Sequence, residues 1–277
     1  MNEKHIHPFI KNVIFVKRIE IRINFVNKNK SMRLPKKITP DNLKDTLVEI
    51  RYAKDIVPEL LPGLALGILK PMGFAYIPAS NSNINILDNN QQIAFGIGAG
   101  NAGFFVKEHV RIHFNPNQIV FNCISDKYVG WEAYFEIITK VTGSLFDNGI
   151  IQSFSQLSIR YISEFKHIDI YQAIKGTIDV SNTGLKLDNS ILRLTDESGN
   201  LKIFVTLTNK AKRISASLQG QQIIEASLID INIYENFNPI SDFDALKTKL
   251  NEVHLKQKEV FFGLINDEFL ETLKPEY

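Results

Sequence analysis

Four side chains of this sequence are candidates for binding a ligand or a partner: Arg160, Tyr161, Trp131 and His254. Arg160 and Tyr161 are neighbours in a strand-like run, and the planar fork of arginine matches both carboxylate and phosphate groups. Glu164 follows closely, so a charge pair within the protein is the favoured interpretation of Arg160. Trp131 and His254 belong to helix-like runs. The favoured role of Trp131 is core packing and its alternative is a stacking platform. The favoured role of His254 is packing or a surface position, and its alternative is to face a groove between the units. The sequence contains no complete catalytic constellation.

A glycine pattern typical of dinucleotide binding occurs at Gly98, Gly100 and Gly103. That chemistry requires a strand before the pattern and a helix N-terminus after it, where backbone N–H groups hold a pyrophosphate. Residues 104–114 instead have the composition of a strand. We therefore expect a hairpin segment here rather than a dinucleotide site.

Residues with metal-ligand chemistry are few and badly spaced. His109 and His113 lie four apart, which on a strand separates their Cα atoms by roughly 13 Å, too far for one ion. Cys123 is the single cysteine, so the chain can form neither an intrachain disulfide nor a cysteine-based zinc site. The sequence predicts no metal site and no cofactor, and a reducing cytoplasm is the expected location.

Length and charge exclude several classes of protein. The chain has 277 residues, with 32 lysines and arginines against 30 aspartates and glutamates, a net charge of +2. Such a balance provides no global field to attract nucleic acid or anionic lipid. No apolar run is long enough for a membrane span, so no membrane partner is expected.

The basic charge is concentrated at the start of the chain. Residues 1–31 carry seven basic and two acidic side chains. One interpretation is a basic extension that adds an edge strand or a partner-binding arm, and the other is that Met32 is the natural start. Nucleic-acid binding is expected only through these 31 residues.

From residue 32 onward, one order of elements occurs twice. Several strand-like runs precede a long amphipathic helix over residues 128–147. Several more precede a second long amphipathic helix over residues 242–273. The predicted strands cover residues 47–52, 74–77, 92–97, 104–114, 118–124, 155–165, 176–180, 184–195, 201–207 and 223–234. We predict an α+β protein of two packed units, 32–153 and 154–277, each an antiparallel sheet covered by a long amphipathic helix.

Several segments resemble a sporadically distributed bacterial protein family of unknown function. They are residues 34–38 and 48–52 near the start, 128–135, 154–163, and 253–254 with 261–268 near the end. The resemblance covers nearly all of residues 32–277 and favours Met32 as the natural start. Members commonly have Arg-Tyr-Ile-Asn where this chain has Arg160-Tyr161-Ile162-Ser163. The second unit is also similar to SecB-like chaperone folds.

The resemblance implies a soluble bacterial protein that is patchily inherited, as components of mobile antiviral defence or toxin-antitoxin loci often are. The first hypothesis for its function is a non-enzymatic protein that binds another protein encoded nearby, through grooves between sheets and helices or through a strand edge. The alternative is an enzyme or sensor that binds a phosphorylated or nucleotide ligand between the two units. That alternative requires Arg160, Tyr161, His254 and nearby carboxylates to converge.

Overall fold

A computed structural model describes residues 20–22, 33–53, 60–78, 103–124, 128–180, 184–217 and 220–277. These residues form an α+β fold in which one large antiparallel sheet is covered by helices on one face. The predicted class, α+β with an antiparallel sheet, is confirmed. Within the described residues, no helix is both long enough and apolar enough to cross a membrane.

The strands and helices of the described residues have the following bounds. The strands are β1 (Glu20–Arg22), β2 (Leu43–Ala53), β3 (Ala75–Ile77), β4 (Phe104–Lys107), β5 (Val110–Asn115), β6 (Gln118–Ile124), β7 (Ser153–Lys166), β8 (Thr177–Asp179), β9 (Ser190–Ser198), β10 (Leu201–Ser217) and β11 (Gly220–Ile240). The helices are α1 (Leu61–Leu69), α2 (Trp131–Asp147), α3 (Ile170–Ala173), α4 (Phe243–Leu264) and α5 (Asp267–Thr272).

The nine strands of the main sheet follow the order β3-β4-β5-β6-β2-β7-β11-β10-β9. The two central strands, β2 and β7, pair antiparallel, with Thr46 opposite Tyr161 and Val48 opposite Ile159. Four strands, β3 to β6, lie on the β2 side and three strands, β9 to β11, lie on the β7 side. On each side, the strand next to the central pair, β6 or β11, is followed in sequence by a long helix.

A single sheet therefore runs through both predicted units. Residues before 153 supply one side of it and residues after 153 supply the other. Because the halves share one sheet, the packing of two separate sheet-and-helix units is not confirmed. The division at 153/154 stays a prediction.

The two faces of the sheet differ because side chains alternate along each strand. On β7, Leu157, Ile159 and Tyr161 point towards the helices and are buried. Arg160 lies between them in sequence and points to the other face, where it meets a polar side chain of β11. The helix-covered face thus contains the apolar core, and the other face carries polar residues.

The ends of the long helices follow from local sequence signals. The Asp242 carboxylate accepts a hydrogen bond from the Asp244 N–H and caps α4, as its position before the helix predicts. Asn266 caps α5 in the same way through the Phe269 N–H at 2.8 Å. Gly130, with φ 84°, precedes α2 and turns the chain into it.

One predicted strand is divided in the structure. Residues 104–114 form two strands, β4 and β5, because Glu108 takes a φ of 52° and reverses the chain. The prediction of one continuous strand over residues 104–114 is therefore wrong, because a turn interrupts it. The predicted strand at 92–97 and the glycines Gly98 and Gly100 lie outside the described residues.

Part of the basic N-terminal segment is described. β1 pairs antiparallel with β8, with Ile21 opposite Ile178, in a small sheet separate from the main one. The rest of residues 1–31 lies outside the described residues, so the two interpretations of this segment stay open.

Candidate functional site

A cavity of about 680 Å³ lies at one end of the helix-covered face. This volume falls within the range of about 300–1,000 Å³ usual for ligand pockets. Four parts of the chain enclose it: the strap (residues 35–43), the start of α2, the strand β7 and the second half of α4. The lining residues are Pro35, Lys36, Lys37, Ile38, Asp41, Leu43, Tyr128, Val129, Gly130, Trp131, Glu132, Ala133, Tyr161, Ser163, His254, Gln257, Lys258, Phe261 and Phe262.

The strap is held in place by backbone hydrogen bonds to the end of the chain. The Lys36 N–H donates to the Glu276 carbonyl at 2.6 Å, and the Glu276 N–H donates to the Lys37 carbonyl at 2.9 Å. The Thr39 N–H donates to the Leu273 carbonyl at 2.7 Å. One wall of the cavity therefore depends on the C-terminal residues as well as on the strap.

Trp131 and His254 form the contact between α2 and α4 beside the cavity. Their rings are stacked, with centroids 4.0 Å apart and planes inclined by 8°. The indole Nε1–H of Trp131 also donates to the Asn251 side-chain oxygen at 3.0 Å. The stack and the hydrogen bond together fix the orientation of both rings.

A chain of hydrogen bonds continues from His254 into the core. The Tyr161 hydroxyl lies 3.2 Å from His254 Nδ1, and the Tyr128 hydroxyl lies 2.9 Å from that of Tyr161. Burial lowers the pKa of the His254 imidazole from 6.5 to about 3, and the neighbouring Lys258 ammonium contributes to the shift. Burial raises the pKa of both tyrosines.

All three members of this chain are therefore uncharged at neutral pH. A general base works best when its pKa lies near the working pH, and His254 lies well below it. The arrangement is suited to holding side chains in position rather than to transferring protons.

Three polar groups of the cavity have no partner within the described part of the chain. Gln257 on α4 is 3% exposed and Ser163 on β7 is 5% exposed, and neither side chain makes a hydrogen bond there. The Lys258 ammonium makes no ion pair there, and burial lowers its pKa. The cavity thus presents an amide, a hydroxyl and an ammonium to whatever enters it.

The apolar part of the lining comes from several elements. Phe261 and Phe262 of α4 are buried and pack edge to face, with ring centroids 5.1 Å apart. Pro35 and Leu43 of the strap line the cavity as well. A ligand that fills this space would bury apolar surface and meet the polar groups at the same time.

No protein-family model, curated protein or solved structure matches this chain. The site must therefore be interpreted from its own residues. Among the described residues, no group of three or more histidine, cysteine, aspartate or glutamate side chains is placed to hold a metal ion.

Three of the four residues singled out from the sequence meet in the cavity: Trp131, Tyr161 and His254. Arg160 does not reach it. Its guanidinium pairs with Asp230 on the opposite face, at 2.9 Å from Nε to Oδ1 and 2.6 Å from Nη2 to Oδ2. The expected pairing within the protein is present, but with Asp230 rather than Glu164.

The separation of Arg160 from the other three follows from strand geometry. Neighbouring residues of a strand point to opposite faces, so Arg160 and Tyr161 cannot share one pocket. The convergence that the enzyme hypothesis requires is therefore absent for Arg160.

Sequence reasoning missed several cavity residues for which a signal existed. Gln257 and Lys258 follow His254 by three and four positions, so they lie on the same side of α4. Ser163 follows Tyr161 by two and shares its strand face. The strap had no such signal, because only its backbone bonds to the C-terminus bring it to the site.

Proposed function

We propose that this protein is a non-enzymatic binding protein, which takes an apolar group of a partner protein into the cavity between α2, α4 and the strap. The observation that carries the proposal is the convergence of Trp131, Tyr161 and His254 on a cavity of about 680 Å³. Large aromatic side chains in concave pockets are the typical anchors of protein recognition.

The rigidity of the walls supports binding. Trp131 is fixed by His254 and Asn251, and Tyr161 is fixed by Tyr128 and His254. Preformed walls reduce the conformational entropy lost when a partner binds. The low pKa of His254 removes the side chain best suited to acid-base chemistry.

The biological setting belongs to the same proposal. The resemblance to a patchily inherited bacterial family suggests a regulatory component of a mobile defence or toxin-antitoxin-type locus, acting in the cytoplasm. The partner would then be encoded nearby. The two halves of the sheet, each followed by its long helix, would act as one platform for that partner.

Co-purification with the products of neighbouring genes tests this proposal. Ala133 is exposed and lines the cavity on α2, so Ala133→Phe would obstruct the cavity without removing a buried contact. Lys140→Phe is the matched control, since Lys140 lies two turns further along α2 and outside the lining. We expect the wild type and the Lys140 variant to retain the partner and the Ala133 variant to lose it. Retention by both variants, or no partner for the wild type, would refute the proposal.

A second candidate is a sensor or enzyme for a phosphorylated or nucleotide ligand. It is favoured by three lysines of the lining, Lys36, Lys37 and Lys258. Trp131 is the single tryptophan of the chain, so its emission reports directly on this cavity. Saturable quenching of this emission by a nucleoside triphosphate would support this candidate. The quenching should be lost when Lys36 and Lys37 are both neutralised and kept in Lys140→Gln. Unchanged emission would reject it.

A further inference from the structure

We propose that the group received by the cavity is the C-terminal carboxylate of a partner chain whose last side chain is apolar. This inference depends on the proposed protein-binding function and specifies what enters the site. It follows from the three polar groups without partners and from the apolar walls beside them.

The Lys258 ammonium is the first group that favours a carboxylate ligand. Its side chain lines the cavity next to His254 and makes no ion pair within the described part of the chain. Burial disfavours its charged form, as the lowered pKa indicates. A carboxylate placed beside this ammonium would compensate the partly buried charge and form a charge-assisted hydrogen bond.

Gln257 and Ser163 are two further groups that can bind a carboxylate. Each is more than nine-tenths buried, lines the cavity and makes no hydrogen bond within the described residues. Their polar atoms are not among the fully enclosed side-chain atoms without a partner, so they open to the cavity and can bind a ligand or water there. The amide N–H and the hydroxyl are both donors, and a carboxylate accepts from both.

The charge of the lining favours a carboxylate over a phosphate. Lys258 is the partly buried cation of the lining, whereas Lys36 and Lys37 are exposed on the strap and screened by solvent. Arginine, the residue that meets phosphate with two parallel hydrogen bonds, does not occur in the lining. Since Asp41 and Glu132 also belong to the lining, its three lysines leave a formal charge of +1, which matches a single negative charge better than a double one.

The apolar walls favour a chain end over an acidic side chain. A C-terminal residue carries its carboxylate and its whole side chain on one carbon, so both reach the cavity together. Phe261, Phe262 and Leu43 would then cover an aliphatic or aromatic side chain. An aspartate or glutamate within a chain offers only one or two methylene groups beside its carboxylate.

The experiment compares peptides that differ only at the terminus. Acetylated octapeptides of glycine and serine that end in leucine, isoleucine, valine or phenylalanine are titrated as free acids and as amides, with Trp131 emission as the signal. We expect saturable binding of at least one free acid and an affinity about 10-fold or more lower for its amide, the size of a lost charge-assisted hydrogen bond.

Variants of α4 test the role of the ammonium. Lys258→Met keeps the length of the side chain and removes its charge, and it should lower the affinity for the free acid to that for the amide. Lys256→Met is the control, because Lys256 lies outside the lining and pairs with Glu259 at 3.1 Å. Its affinity should equal that of the wild type. The amide series needs no variant, so it decides even if Lys258→Met does not fold.

Three results would overturn the inference. Equal binding of acids and amides would exclude the carboxylate but leave a protein-binding cavity intact. Binding of N-acetyl-leucine as tight as that of the octapeptide would identify a free organic acid as the ligand. Absence of binding by every peptide would exclude a chain end, while co-purification with neighbouring gene products would still decide the protein-binding function separately.

Discussion

The neutral, partly buried His254 should make the stability of this protein fall as the pH is lowered towards 5. Its pKa is about 3 in the folded protein against an ordinary value of 6.5. Between these two pH values, His254 therefore binds a proton in the unfolded chain but not in the folded protein. The contribution of neutral His254 is fully present above pH 6.5 and is lost progressively as the pH falls towards 3.

The magnitude follows from the two pKa values. At pH 5 the folded imidazole is almost entirely neutral and the unfolded one is almost entirely charged, so the loss of stability relative to pH 7.5 is about 2 kcal/mol. A folded-state pKa one unit higher would leave this figure nearly unchanged. At a urea slope of about 3 kcal/mol per M, the midpoint should fall by on the order of 0.7 M.

Urea unfolding followed by circular dichroism at pH 7.5 and pH 5 would measure this effect in the wild type and in His254→Asn. Asparagine keeps a hydrogen-bonding group near Tyr161 but does not titrate. Other ionisable groups contribute equally to both proteins, so the difference between their pH dependences isolates His254. His167→Asn serves as the control, since His167 is exposed and asparagine tolerates its φ of 58°. The same pH dependence in the wild type and in His254→Asn would refute the reasoning.

Two further perturbations test the packing of the helices and the separation of the sheet faces. A Cβ at Gly143 would lie 2.8 Å from the ring of Phe243, so Gly143→Ala should destabilise the protein by about 1–3 kcal/mol in the same urea titration. Gly263 has open space around it, so Gly263→Ala should stabilise the protein by up to about 1 kcal/mol. Arg160→Gln removes both hydrogen bonds to Asp230 and should cost about 1–3 kcal/mol, yet leave ligand affinity in the cavity unchanged. Stabilisation by Gly143→Ala or a changed affinity in Arg160→Gln would contradict these assignments.

The helices could be predicted from the sequence because their signals are local. Apolar residues three and four positions apart indicate α2 and α4. The side chains of Asp242 and Asn266 cap the starts of α4 and α5. The alternation of side chains along a strand also predicts that Tyr161 shares a face with Leu157 and Ile159. The same alternation places Arg160 on the opposite face. Arg160 and Tyr161 were nevertheless predicted to belong to one site, because they are adjacent in sequence.

The sheet could be predicted only in part, because its organisation depends on pairing between distant residues. No local pattern indicates that β2 pairs with β7, yet this pairing joins the two halves into one sheet. The turn at Glu108 was missed for a different reason. Glutamate is not a residue that marks a left-handed turn, so the strand pattern of residues 104–114 continues through it.

The cavity lies where α4 extends beyond α2. α2 and α4 lie side by side and run in opposite directions, since Phe146 near the end of α2 stacks on Phe243 at the start of α4 and Trp131 at the start of α2 stacks on His254. α4 has 22 residues and α2 has 17. Ten residues of α4 therefore extend beyond the Trp131 contact, a length of about 15 Å.

Beside this extension, residues of the strap form another wall of the cavity. The cavity residues Gln257, Lys258, Phe261 and Phe262 all belong to the extension. The additional turns of α4 thus supply one wall of the cavity, beyond the start of α2.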